Sequence, residues 1–253
     1  MKLFFLVSAR DEKHVDEKVE ELKSLGVPYL IVCGKRLNHS NVVFRKPEGK
    51  YDSINFGFRY IPEDTDVVAL NDIDTKIRNF QAAVRLFGSR DVALVFAKVS
   101  VKEGPQKLFL RILQRLRRRL AIAASGDLML IKYGALKEIL PIKPCKAEDS
   151  YLLFKVLELK YRVADCEECY VETEKTNTPE EEEDYKRRTV CGIYQALGYT
   201  KPSPLIKLFY TLLPFASIML LVLGRKGYFW MKGILLGLTD YLRGDRSGFW
   251  QTT

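Results

Sequence analysis

The chain has 253 residues, 47% of them hydrophobic, and a formal charge of +9, which suffices for one sizeable packed domain plus an appendage. Such a surplus of positive charge fits anionic nucleotides, phospholipid headgroups or nucleic acid. The last is disfavoured, because aromatic residues are not interleaved with the basic run in an RNA-binding pattern. The cysteines, at 33, 145, 166, 169 and 191, are odd in number and scattered, which argues against a secreted disulfide framework. Cys166 and Cys169 lack the second pair that a zinc site needs and read as a local redox pair or ordinary thiols.

In chain order, the apolar run at residues 3–7 is too short for a signal peptide and is followed by Arg10 and Asp11, so it predicts a buried strand. Residues 12–25 predict an acidic amphipathic helix, ended by Gly26 and Pro28. Strands are expected at 29–32, 41–44, 67–70 and 92–97, with helices at 51–61 and 80–87. Alternation of this kind predicts a three-layer α/β domain with a mostly parallel sheet. In such sheets ligands bind beyond the C-terminal strand ends.

Residues 108–124 predict a basic amphipathic helix, with Arg111, Arg115, Arg118 and Arg119 along one side and Ile112, Leu113, Leu116 and Leu120 along another. A further helix is expected at 147–160. An acidic loop at 176–184 leads into another that runs through Tyr194, and Lys201-Pro202-Ser203-Pro204 links to a hydrophobic tail. The division expected is a catalytic domain at 1–200 and a membrane-associated helical hairpin at 201–253. Residues 208–224 carry no charge over 17 positions, at the lower edge of the roughly 17–25 that span a bilayer. Residues 227–242 are interrupted by Lys232 and Asp240, as in a tilted span, a re-entrant piece or an interfacial helix; a buried hairpin is the soluble alternative. Tyr210, Tyr228, Trp230, Arg243, Arg246 and Trp250 at the edges favour the membrane.

Asn71-Asp72-Ile73-Asp74 directly follows the apolar strand at 67–70. Two carboxylates one residue apart at a strand end can converge on Mg²⁺ or Mn²⁺, which neutralises a diphosphate. Gly49-Lys50, where a helix begins, can meet phosphate. Glu148-Asp149 opens the helix expected there, where it suits the helix dipole or supplies a general base. Lys186-Arg187-Arg188 can clamp phosphate through guanidinium forks, or simply balance the acidic stretch at 180–184.

Taken in order, these pieces resemble glycosyltransferase family 2, the inverting family with a GT-A fold. Ser8-Ala9-Arg10-Asp11-Glu12 resembles its nucleoside-contacting loop, and Gly49-Lys50 through Asn55-x-Gly57 its Gly-Lys…Asn-x-Gly stretch. Asp72-Ile73-Asp74 falls at its metal- and diphosphate-binding Asp-x-Asp, Gly126-Asp127 at the glycine segment lining the acceptor site, and Glu148-Asp149 at the pair supplying the base. Residues 185–192 resemble its Gln-x-Arg-Arg-Trp-x-x-Gly block, with Tyr185 and Thr189 replacing Gln and Trp. Strand two ends in Cys33-Gly34, where many members carry an aspartate.

The resemblance implies donor contacts from Ala9, Arg10, Glu12, Lys50, Asn55, Asp72 and Arg188, and Mn²⁺ or Mg²⁺ on Asp74 and Asp72. Lys76 stands where the mannose synthases can offer the metal a glutamine, so Glu172 and Glu174 are the candidates for a third ligand. It implies Asp149 and Glu148 as catalytic carboxylates, with Gly126 and Asp127 at the acceptor. Arg115, Arg118 and Arg119 are expected to face the membrane. Similarity to the membrane-attached dolichyl-phosphate-mannose synthases points to GDP-mannose as donor, a membrane lipid as acceptor and the cytoplasmic face as the location of the catalytic domain. The competing expectations are a UDP-sugar-dependent transferase, a nucleotidyltransferase and a non-catalytic membrane protein.

Overall fold

The computed structural model describes residues 1–101, 114–115, 120–173 and 178–248. Among these, the strands are β1 (Leu3–Ala9), β2 (Tyr29–Cys33), β3 (Val42–Phe44), β4 (Val67–Asp72), β5 (Thr75–Arg78), β6 (Val92–Val101), β7 (Leu128–Lys132) and β8 (Arg162–Thr173). They form one sheet in the order β3-β2-β1-β4-β7-β6-β8-β5. β1 pairs in parallel with β2 and β4, β2 with β3, and β6 with β8; β7 runs antiparallel to β4 and β6, and β5 antiparallel to β8. The sheet is therefore mixed, with three consecutive parallel pairs across β3-β2-β1-β4 and one more between β6 and β8.

Side-chain alternation explains why both faces are covered. Along β1, Phe5 and Val7 pack with Ile31, Ala69, Val95 and Leu130 on one face, while Phe4 and Leu6 pack with Val32, Leu70, Phe96 and Ile131 on the other. A strand buried on both faces reads as a continuous apolar run, as Leu3 to Val7 does. Helices α1 (Val15–Ser24) and α3 (Phe80–Arg85) cover the Phe5 face. The Leu6 face is covered by α2 (Lys50–Gly57), α4 (Tyr133–Ile139), α5 (Glu148–Glu158) and α6 (Pro179–Tyr199). Thr178 caps α6 by accepting from the Glu181 amide, and the Glu181 carboxylate accepts from the Thr178 amide in return, which satisfies two otherwise unpaired donors.

The tail forms α7 (Pro204–Ser217), continued by a 3₁₀ turn at Ile218–Leu223, and then α8 (Arg225–Leu242). Among the described residues only Pro204–Leu223 is long and apolar enough to cross a membrane. The second segment lies against α6. Arg187 forms a two-pronged ion pair with Asp240, at 2.6 and 2.9 Å, and the buried Trp230 donates from Nε1 to Glu182 at 2.9 Å. Asp240 and Lys232, which interrupt the apolar pattern of this segment, thus help to tie it to α6 through Arg187 and Glu183.

Candidate functional site

The chain leaves β1 for β2 and β3 on one side and returns to β4 on the other, so the strand order reverses between β1 and β4. A crevice opens there beyond the C-terminal strand ends, where α/β sheets bind ligands. Ser8 of β1 is in register with Asp72 of β4. Around this point lies a cleft of about 1620 Å³, larger than the roughly 300–1,000 Å³ that holds one small molecule.

Asp72 and Asp74 flank the short turn from β4 into β5, and both line the cleft. The turn is held from beneath by α1. The Lys18 side chain is 2% exposed, and its ammonium donates to the Glu21 carboxylate at 2.7 Å, to Asn71 Oδ1 at 3.1 Å and to the Thr75 carbonyl. Glu21 in turn accepts from the Ile77 amide at 2.7 Å. Asn71 donates from Nδ2 to Thr75 Oγ1 and to the Asp127 carbonyl, at 2.8 and 2.7 Å, and the Asp72 amide donates to that same carbonyl at 3.2 Å.

Lys18 was hidden in the sequence as one more charge on an amphipathic helix. Its signal was its spacing, on the same helical face as Val15, Val19 and Leu22. Lys18→Met is expected to cost roughly 3–5 kcal/mol, the range for breaking one side of a buried ion pair. Urea unfolding with an unchanged m-value would read this as a lower midpoint. A midpoint within error of wild type would remove Lys18 as the support of the turn.

Lys50 leads α2 into the same cleft, and its ammonium lies 2.6 Å from Asp72 Oδ1, 3.1 Å from Glu148 Oε1 and 2.7 Å from the Gly126 carbonyl. Burial disfavours this charge, but the carboxylates of Asp72 and Glu148 outweigh burial and hold its pKa above the usual lysine value. Gly126 fits because it has no side chain: a Cβ there would come within 3.1 Å of the Lys50 ammonium and 3.2 Å of Glu148 Oε1. Asp127 is 6% exposed and accepts from Ser125 Oγ at 3.0 Å.

Glu148 and Asp149 begin α5 on the wall facing Asp72. Glu148 is engaged by Lys50, whereas Asp149 Oδ1 accepts from the Ser150 amide at 2.7 Å. Burial, followed by the neighbouring Glu148 charge, pushes the Asp149 carboxyl up to about 6. Asp72 is likewise raised to about 6, by burial and by Asp127 and Asp74, with Lys50 opposing. The loop carrying this pair packs tightly on α6, since a Cβ at Gly192 would lie 2.4 Å from the Ala147 amide nitrogen.

Of the basic triplet on α6, Lys186 is buried near Glu182, Tyr185 and Trp230, and Arg187 is committed to Asp240. Arg188 lines the cleft with its guanidinium over the Tyr185 ring, 5.5 Å from the centroid. Tyr185 therefore supports the arginine, a role its place in the sequence did not suggest.

Other expected contacts fall differently. Ala9 and Arg10 line the cleft. Glu12 is exposed, does not line the cleft and pairs with Lys35 at 2.6 Å. Asn55 also lies outside the lining: its amide exchanges two hydrogen bonds with the backbone of Ile142, at 2.9 and 2.8 Å. That exchange ties α2 to the loop ahead of Glu148, so Asn55 serves the scaffold and not the donor contacts expected of it. Arg115 is exposed and outside the lining, while Arg111, Arg118, Arg119 and Glu174 lie outside the described residues. Glu172, a candidate third metal ligand, pairs with Arg78 at 3.2 Å.

Two hard carboxylates at a turn suit a divalent cation. Asp72 already meets the Lys50 ammonium, and Asp74 is exposed toward the cleft with no ion pair among the described residues. No third His, Cys, Asp or Glu joins them in a cluster among those residues. This donor set fits Mn²⁺ or Mg²⁺ completing its shell with phosphate oxygens and water, and does not fit a closed protein cage.

No family model matches the sequence, and no curated protein matches it. Solved structures do. The mannosyltransferase PcManGT from Pyrobaculum calidifontis, in complex with GDP-Man and Mn²⁺, superposes with a TM-score of 0.71 at 12% identity over 96% of this chain and 88% of that one. GalNAc-T7 with UDP, GalNAc and Mn²⁺ gives 0.59 at 10% identity, over 97% of this chain and 56% of that one. Glucosyl-3-phosphoglycerate synthase from M. tuberculosis gives 0.50 at 16% identity, over 80% and 82%. With the strand-end crevice, the Asp-x-Asp turn and these neighbours together, the chain has the GT-A fold of nucleotide-sugar glycosyltransferases.

Proposed function

We propose that the chain is an inverting, metal-dependent glycosyltransferase that moves one sugar, mannose from GDP-mannose, to a membrane lipid. Its catalytic domain, residues 1–200, sits at the cytoplasmic face, with residues 201–253 as a membrane-associated tail. The observation that carries the reading is the pairing of Asp72-Ile73-Asp74 with Asp149 across one cleft, with Lys50 bridging Asp72 to Glu148. The donor choice is supported by the PcManGT complex with GDP-Man and Mn²⁺.

In this reading Ala9 and Arg10 contact the nucleoside, and Asp74, with Asp72, holds the cation. The cation, when bound, neutralises the diphosphate and stabilises it as a leaving group. Arg188 adds a guanidinium to the same phosphates. Asp149 accepts the proton of an acceptor hydroxyl as that oxygen bonds to the anomeric carbon. The bond from that carbon to the diphosphate oxygen breaks, and its electron pair leaves with the nucleoside diphosphate. A single displacement inverts the anomeric centre. A lipid phosphate acceptor, already ionised, needs no base, and Asp149 then orients it.

The test is nucleoside diphosphate release from a panel of sugar donors, with Mn²⁺ or EDTA and lipid extract. Mn²⁺-dependent release of GDP from GDP-mannose is expected. Release from a UDP-sugar alone would move the assignment to that donor, and no release from any donor would end the transferase reading.

A further inference from the structure

The Pro204–Leu223 stretch is divided lengthwise. Ile206, Tyr210, Pro214 and Ser217 are buried against the domain. Tyr210 donates from its hydroxyl to the Ile122 carbonyl at 2.7 Å, and its own carbonyl accepts from the Tyr194 hydroxyl at 2.7 Å. The opposite side is apolar and open: Phe215 is 70% exposed, Met219 75% and Val222 86%, with Leu208 and Leu212 also exposed.

A helix spanning hydrocarbon meets lipid around its girth, and no charged domain can follow it there. Here the inner side runs along the domain from Ile206 to Ser217, about 17 Å at 1.5 Å per residue. Lys201, Lys207, Arg225 and Lys226 are exposed on or beside this stretch, where interfacial helices carry cations for anionic headgroups.

We propose that α7 and its 3₁₀ extension lie in the plane of an anionic membrane, sunk into one leaflet without crossing it. The proposal rests on the membrane reading above and adds the mode and charge of attachment. It also has a consequence for the acceptor. Phe209, Leu213, Ala216 and Leu220, on the flank of the same stretch, line the cleft that holds Asp149. A lipid's chain can thus stay in the leaflet while its head reaches the carboxylate.

The test uses the full chain added to preformed vesicles of phosphatidylglycerol or of phosphatidylcholine, carrying Lys201→Cys or Lys226→Cys. The native cysteines are all buried, so an impermeant maleimide reports the introduced thiols. Both positions are expected to label equally before the vesicles are lysed. Binding should favour phosphatidylglycerol and weaken with salt, each basic side chain near an anionic surface contributing roughly five-fold. Phe215→Glu with Met219→Glu is expected to lower binding at least ten-fold with the melting temperature unchanged, since both side chains are already exposed.

Labelling of one position only after lysis would overturn the in-plane arrangement while keeping the membrane reading. Equal binding to both lipids would overturn the anionic preference. No binding to either vesicle would overturn both readings. A stable dimer in solution, dispersed by the same double substitution, would assign the face to a second copy of the chain and overturn the proposal.

Discussion

Asp74→Ala is expected to abolish Mn²⁺-dependent donor turnover, lowering it by at least roughly 100-fold. Outer-shell partners of catalytic metals typically cost about 10–100-fold when removed, and Asp74 is proposed as a ligand itself. Asp72 is already met by the Lys50 ammonium at 2.6 Å, so it cannot replace Asp74 without that ion pair rearranging. The fold should tolerate the change. Asp74 is exposed, whereas the turn is held by Lys18, Asn71 and Thr75. The paired measurements are Mn²⁺ affinity by titration in the presence of nucleoside diphosphate and the melting temperature without it. Lost affinity with an unchanged melting temperature is the expected pattern. Full Mn²⁺ affinity in the variant would leave the Asp-x-Asp as an ordinary turn.

Much of this site was legible because its parts are local. β1, β2 and β4 are continuous apolar runs, and the carboxylates of Asp72 and Asp74 sit at the end of the last of them. What was not legible is tertiary or too short to show a period. β5 is only Thr75–Arg78, though its residues do alternate buried and exposed. β8 carries Asp165, Glu167 and Glu168 through its middle, and its register with β6 slips between Ala97 and Lys98. β7 is four apolar residues closed by Lys132, a run that periodicity cannot distinguish from a buried helix segment. Lys50 read as a phosphate contact because glycine precedes it. Its bridge between Asp72 and Glu148 depends on bringing positions 72 and 148 together, which no local pattern encodes. Arg187 and Arg188 are chemically identical neighbours on α6, yet one helical step turns the first to Asp240 and the second to the cleft.

Asp149→Asn carries the other large effect. A general base contributes about 10²- to 10⁴-fold, and transfer to a hydroxyl acceptor should fall by that amount. Stability separates chemistry from scaffold here. Asp149 is raised from 3.8 to about 6, chiefly by burial and then by Glu148. A carboxyl whose folded pKa lies above its unfolded value favours the fold while protonated, and that contribution is lost as pH rises from about 4 through about 6. The amide never acquires the buried charge. The variant is therefore expected to melt at or above the wild-type temperature at pH 8, with the gap closing toward pH 4.

The same shift sets the expected rate profile. Wild-type transfer to a hydroxyl should climb with pH until about 6 and then level, whereas an ordinary aspartate would level near 4. Asp72 is also raised to about 6, so the climb belongs to Asp149 only if Asp149→Asn removes it. Retained transfer with the climb unchanged would mean that Asp149 takes no proton from the acceptor. An ionised lipid phosphate has none to give, so that result would turn the assignment from a hydroxyl to a phosphate acceptor.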